Sequence, residues 1–170
     1  MLTEKMQDAL HKQINMEFGS SYSYLAMAAY CELNSYVGSA AWFKVQSQEE
    51  HAHAMKIYEF LLARGCAIKL LPLTAPKGEF GSLPEVFEKA LEQENSVTRS
   101  IDQLYELAHQ EKAFAALVEL QWFITEQVEE EKSVRDIVTR MRRVAGDPSA
   151  LIDLDRELGT RKLSAAAESE

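Results

Sequence analysis

FKVQSQEEHAHAMKIYEF, residues 43–60, reads as one helical run. Phe43, Gln46, Glu50, His53, Ile57 and Phe60 step by three and four, so they share one stripe. That stripe should cross an apolar core, yet it carries Glu50 and His53 at its middle. A carboxylate in a helix interior demands a partner. Whether the rest of the chain supplies one decides both the fold and the chemistry.

Outward from this run, the 170 residues hold seven glycines and four prolines, clustered at a few points, and no run alternates like a strand. Thr3 can cap a first helix that extends to about Leu33, before NSYVG. A second spans about Ser39 to Arg64, with Gly65 as its left-handed stop. Residues 65–82 hold three glycines and two prolines and form one long connection. Ser82, Pro84 and Glu85 then supply the N-cap, first-turn proline and capping box of a third helix reaching about Ala108. HQEK, residues 109–112, is a short turn, and a fourth helix runs from about Phe114 to Val144. In GDPSALIDLDREL, Asp147 caps a short fifth helix starting at Pro148. Leu151, Leu154 and Leu158 lie on one stripe of it, and a helix this short needs something to dock on.

Residues 1–160 therefore read as a single domain and residues 161–170, ending in SAAAESE, as a frayed tail. Two short turns and one long connection predict an all-α, up-down-down-up four-helix bundle with one long crossover and a short C-terminal helix.

Composition narrows the partners. The chain is 46% hydrophobic and 26% charged, with 27 acidic against 18 basic residues and a net charge of -9. That balance argues against nucleic acid or an anionic membrane and suits cations. The polar start has no signal-peptide segment, and no apolar run is long enough for a membrane span. Cys31 and Cys66 lack a C-x-x-C pattern, which is consistent with a reducing cytoplasm.

Each predicted helix presents a seam interrupted near its middle. The first gives Leu10, Ile14, Glu17, Ser21, Tyr24, Ala28 and Cys31. The third gives Phe87, Ala90, Glu94, Val97, Ile101, Leu104 and Ala108, and the fourth Leu120, Phe123, Gln127, Glu130, Val134, Ile137 and Met141. Glu17 lies 19 residues before the turn at Tyr36, with Glu50 and His53 14 and 17 after it. Glu94 lies 17 before the turn at Glu111, with Gln127 and Glu130 16 and 19 after it. In antiparallel helices these spacings put all six groups at one height.

Four uncompensated buried carboxylates would cost several kcal/mol each, against a net stability of about 5–15 kcal/mol for a whole domain. Protonation could neutralise some of them. Two divalent ions would balance all four, and a four-Glu, one-His set suits iron or manganese. The competing reading is a hydrogen-bonded polar layer that only specifies packing.

The set Glu17, Tyr24, Glu50-x-x-His53, Glu94 and Gln127-x-x-Glu130 resembles the ferritins, in particular the non-haem bacterial ferritins, and the resemblance covers essentially the whole chain. It implies a ferroxidase centre. Glu17, Glu50 and His53 would hold a first iron, Glu50 would bridge to a second, and Glu94 and Glu130 would complete it with Gln127 nearby. Tyr24 would stand close to the site, either as an electron donor or as a core tyrosine bonded to a ligand carboxylate; Trp122 reads as packing. A third iron would use Glu49, Glu126 and Glu129, with Glu130 shared.

The departures are informative. Gln127-x-x-Glu130 replaces the second Glu-x-x-His of bacterioferritins and rubrerythrins. His51, not methionine, follows Glu50, so no haem is expected. There is no C-x-x-C pair for a rubredoxin-like iron, and the fifth helix argues against the mini-ferritin type. His11, His51 and His109 match nothing in the motif and read as surface. The resemblance implies oxidation of Fe(II) by O2 or H2O2 and storage of Fe(III) as a mineral inside a homo-oligomeric shell of 24 subunits. A di-iron peroxidase or oxygenase acting on another substrate is the alternative, and it would need an open cavity and a reductase partner.

Overall fold

Residues 2–163, described by a computed structural model, form five helices and no strand. They are α1 (Glu4–Leu33), α2 (Val37–Ala63), α3 (Leu83–Gln110), α4 (Phe114–Arg143) and α5 (Pro148–Leu158). The SAAAESE segment lies outside the described residues.

The caps are local and follow the sequence. The Thr3 hydroxyl accepts the Met6 N–H at 3.1 Å, Ser82 that of Glu85 at 3.3 Å, and Asp147 those of Ser149 and Ala150 at 3.0 and 3.1 Å. Glu85 does not close the box on Ser82; its carboxylate takes the Gly81 N–H at 2.7 Å instead. Gly65, at φ 71°, ends α2, and the Cys66 N–H returns to the Leu61 carbonyl at 3.0 Å.

α2 begins two residues before the expected Ser39, and the reason lies at the other end of the chain. Tyr36, its N-cap, has no side-chain cap bond. Asp155 of α5 supplies one. Its carboxylate accepts the Gly38 N–H at 3.1 Å, the Ser39 N–H at 2.7 Å and the Ser39 hydroxyl at 2.6 Å. A buried acid there satisfies orphan donors and complements the helix dipole. This is the surface on which α5 docks.

The approach is so close that it requires glycine: a Cβ on Gly38 would lie 1.7 Å from the Asp155 carbonyl oxygen. Gly38→Ala is therefore expected to force α5 away from α2 and destabilise the fold by about 3 kcal/mol. Thermal unfolding of the metal-free protein reads this directly, and an unchanged Tm would contradict the docking.

α1 pairs with α2, α3 with α4, and α1 with α3. Cross-bundle contacts set the register. Thr3 meets Glu111, Gln13 meets Ser100 and Tyr24 meets Glu94, so α1 and α3 are antiparallel. Gln46 meets Glu130, His53 meets Phe123 and Lys56 meets Glu119, so α2 and α4 are antiparallel as well. The topology is the up-down-down-up bundle that the turn lengths predict.

The apolar core falls into two clusters. One gathers Tyr24, Phe43, Phe87, Val134, Ile137 and Met141 with Leu154 and Leu158 of α5. The other gathers Met6, Leu10, Ile14, Ile57, Leu61, Ile101, Leu120 and Phe123. Along the bundle helices, Glu17, Gln46, Glu50, His53, Glu94, Gln127 and Glu130 lie between them.

One surface expectation fails. His11 is 3% exposed, and its Nε2 lies 3.1 Å from the Ala67 carbonyl oxygen. The crossover folds back over α1 and covers it, a contact that helical periodicity does not encode. His51 and His109 are exposed.

Candidate metal centre

Glu17, Glu50, His53, Glu94, Gln127 and Glu130 are all buried, at 0–5% exposure. Oxygens of Glu17 and Glu50 and a ring nitrogen of His53 lie within 4.8 Å of one another. Ligand atoms of His53, Glu126 and Glu130 form a second group of the same size, so His53 belongs to both.

Amides hold the acids in place. Gln13 donates to Glu17 at 2.7 Å and is itself fixed by the Ser100 hydroxyl at 2.6 Å. Gln46 donates to Glu50 at 3.2 Å and to Glu130 at 2.9 Å. Gln127 donates to the Glu94 carboxylate and to the Thr98 hydroxyl, both at 3.3 Å. The Tyr24 hydroxyl donates to Glu94 in a short bond. Gln13 and Gln46 each stand four residues before the acid they serve, one helical turn away. That spacing was the signal for both, although sequence reasoning gave neither a role.

Even so, the satisfaction is incomplete. Glu17 Oε2 and Glu50 Oε2 are buried and no donor from another residue reaches them; there the two carboxyls have only each other, through a shared proton. The nitrogen nearest to Glu50 Oε2 across an ion pair is His53 Nδ1, at 3.7 Å, too long for a hydrogen bond. Buried carboxyl oxygens that converge on an imidazole and are otherwise satisfied only by a proton are what a bound cation can take over, so the donor set fits hard metal ions.

The electrostatics agree. Burial first, and then the Glu50 charge, pushes Glu17 up to about 8. Glu50 is raised to about 8 by burial and then Glu130, and Glu94 to about 8 by burial and then Glu50. Burial and then Glu94 lift Glu130 to about 7, opposed by Arg161. Tyr24 is held well above its ordinary value by burial and then by Glu94. Four carboxylates that keep protons near neutrality can exchange them for metal charge.

His53 is oriented from behind by Trp122, edge-on at 5.3 Å, and by Phe123 at 6.1 Å. Trp122 thus packs against the His53 ring.

The remaining acids separate. Glu126 is half-buried and joins the His53–Glu130 group; burial raises its pKa. Glu129 is exposed and lines an open groove with Lys132, Asp136 and Arg140, outside both groups. Glu49 is buried and ion-paired to Arg161.

Arg161, placed in the tail by the sequence, packs on the bundle. Its Nη1 donates to Gln46 Oε1 at 2.6 Å, its Nη2 meets Glu49 in a short contact, and the guanidinium covers the Trp42 ring at 4.4 Å. A guanidinium only donates. By claiming the Gln46 oxygen, it turns the Gln46 amide nitrogen toward Glu50 and Glu130. No spacing rule could place a residue beyond the last helix in this position.

The likeness to known proteins is extensive. A family model described as a ferritin-like domain matches residues 7–144. The bacterial non-heme ferritin of Staphylococcus aureus (strain MRSA252) is 40% identical over 161 residues, covering 95% of this chain and 97% of its own. That of Staphylococcus saprophyticus is 39% identical over 161 residues, covering 95% and 96%. An open-pore ferritin from the hyperthermophilic archaeon Archaeoglobus fulgidus superposes with a TM-score of 0.94 at 44% identity, covering 95% of this chain and 100% of its own. A closed form engineered from the Archaeoglobus fulgidus ferritin gives the same TM-score and identity, covering 96% and 100%. The family match takes in nearly all of the four bundle helices and the relatives extend across almost the whole chain, so the chain belongs to the ferritin family.

Proposed function

We propose that the protein stores iron. It oxidises Fe(II) at the mid-bundle centre and holds Fe(III) as a hydrated oxide inside a shell of identical subunits. The observation that carries this reading is the buried group of Glu17, Glu50 and His53, joined through Glu50 to Glu94 and Glu130. Glu17, Glu50 and His53 would hold one iron, and Glu94 and Glu130 a second bridged by Glu50. Gln127 and Tyr24 would hold Glu94 in position.

Anionic oxygen ligands favour Fe(III) over Fe(II). Two bound Fe(II) give one electron each, reducing O2 and two protons to H2O2, or H2O2 and two protons to two waters. A third iron would sit at Glu126 and Glu130 beside the His53 ring, with Glu49 next to it and Glu129 at the open groove.

Conversion of an organic substrate is less well supported, because it needs an opening at the centre. Glu17, Glu50 and Glu94 are at most 1% exposed. Leu70, Leu71 and Leu73 of the crossover and Tyr22 and Leu25 of α1 remain exposed in the single chain, apolar surface that suits subunit packing. No helix among the described residues is long and apolar enough to cross a membrane. Two free, buried cysteines suit a reducing cytoplasm.

The test is aerobic Fe(II) addition followed by size-exclusion chromatography with iron analysis. Many irons per subunit should co-elute with a particle of about 460 kDa, 24 chains of 19.2 kDa. A small species holding no more than two irons per chain would rule out storage.

A further inference from the structure

Arg161 reaches the di-iron residues only through Gln46 and its charge near Glu130, yet it directly occupies an acid beside the third metal position. Glu49 Oε2 meets the guanidinium, and neither the Glu49 nor the Arg161 side chain is more than 20% exposed. The metal-capable group at this position is His53, Glu126 and Glu130; Glu49 is not within it. Three contacts fix the guanidinium at once: Gln46, Glu49 and the face of Trp42. The anchor of α5, Asp155 on Gly38 and Ser39, lies six residues earlier, so Arg161 can leave without α5 undocking.

We propose that Arg161 is the resident counter-ion of the third metal position. A divalent cation recruits Glu49 to Glu126 and Glu130 only by displacing the guanidinium. The physical ground is competition for one carboxylate, together with repulsion between a divalent ion and a guanidinium held beside the same acids. The proposal rests on the third-position reading above.

The experiment uses the full-length, iron-stripped protein carrying Trp122→Phe, which leaves Trp42 as the only indole, with redox-inert Zn(II) as the probe. Calorimetry counts the ions, and Trp42 emission reports whether the guanidinium leaves its ring. Without Arg161→Ala, a third and weaker Zn(II) should bind with a change in Trp42 emission. With Arg161→Ala, the third Zn(II) should bind about tenfold more tightly, and that emission step should vanish. Arg161→Lys, which keeps the charge but loses the fork, should fall between them.

A third Zn(II) that binds both proteins equally and leaves Trp42 unchanged overturns the proposal and leaves the third position standing. No third Zn(II) in either protein removes the third position and the proposal together. A third Zn(II) seen only with Arg161→Ala supports the proposal in its strongest form.

Discussion

Replacing Glu50 and His53 together by alanine is expected to slow initial Fe(II) oxidation by at least about 100-fold. The two side chains stand where the groups of the centre meet. Glu50 interacts electrostatically with Glu17, Glu94 and Glu130. His53 contributes to both groups of metal-capable atoms. The double variant leaves Glu17 alone in the first group and only Glu126 and Glu130 in the second.

Folding should survive, because Glu50→Ala removes a buried acid that repels its neighbours, which offsets the ring contacts with Trp122 and Phe123 given up by His53→Ala. Circular dichroism and particle size check that point, and stopped-flow absorbance measures the rate. An initial rate equal to wild type in a folded particle would place the reaction elsewhere.

The second large effect concerns the protein without metal, whose stability should fall as pH rises from about 5 to about 8. Glu17, Glu50 and Glu94 hold protons up to about 8 and Glu130 to about 7, against an ordinary value of 4.5. Between those limits the folded state binds protons that the unfolded state has released. Stability then decreases with pH, by up to about 1.4 kcal/mol per pH unit for each group still protonated. It is fully present below about 4.5 and lost on passing through 7 to 8.

Metal reverses the dependence, since ligand carboxylates must be deprotonated and binding becomes tighter as pH rises. Melting with a chelator present should show Tm dropping by about 10 °C or more over this range. Glu50→Gln should flatten the slope, and a divalent ion should release protons measurable by pH-stat. A metal-free Tm that rises with pH would show that the acids are not buried as described.

The acids could be found in the sequence because helix geometry is local. A three-and-four step puts Glu50 and His53 on one stripe, and equal distances from a hairpin turn put Glu17 at their height. The same arithmetic relates Glu94 to Gln127 and Glu130. What escaped it were contacts whose partners are distant in sequence. His11 reads as surface until the crossover is laid over it. Gln46 appears only as a seam residue until its amide is seen between Glu50 and Glu130.

The acids beside the seam show the boundary most clearly. Glu49, Glu126 and Glu129 are equivalent as acidic residues beside the seam, yet each meets a different fate. Glu126 joins His53 and Glu130, Glu129 stays in an open groove, and Glu49 is taken by Arg161. Position along a helix fixes which way a Cβ points but not what waits there.

By itself, then, the sequence determined the helices, the caps of α1, α3 and α5, the helix order and the depth of the six buried polar groups, because these depend on 3.6-residue periodicity, local capping residues and short turns. Tertiary structure decided how α2 is capped, through Asp155 at a glycine contact that only docking creates. It also decided where Arg161 rests and which acids beside the seam share a metal-capable group. Those outcomes depend on side chains brought together from opposite ends of the chain, whose positions no local rule sets.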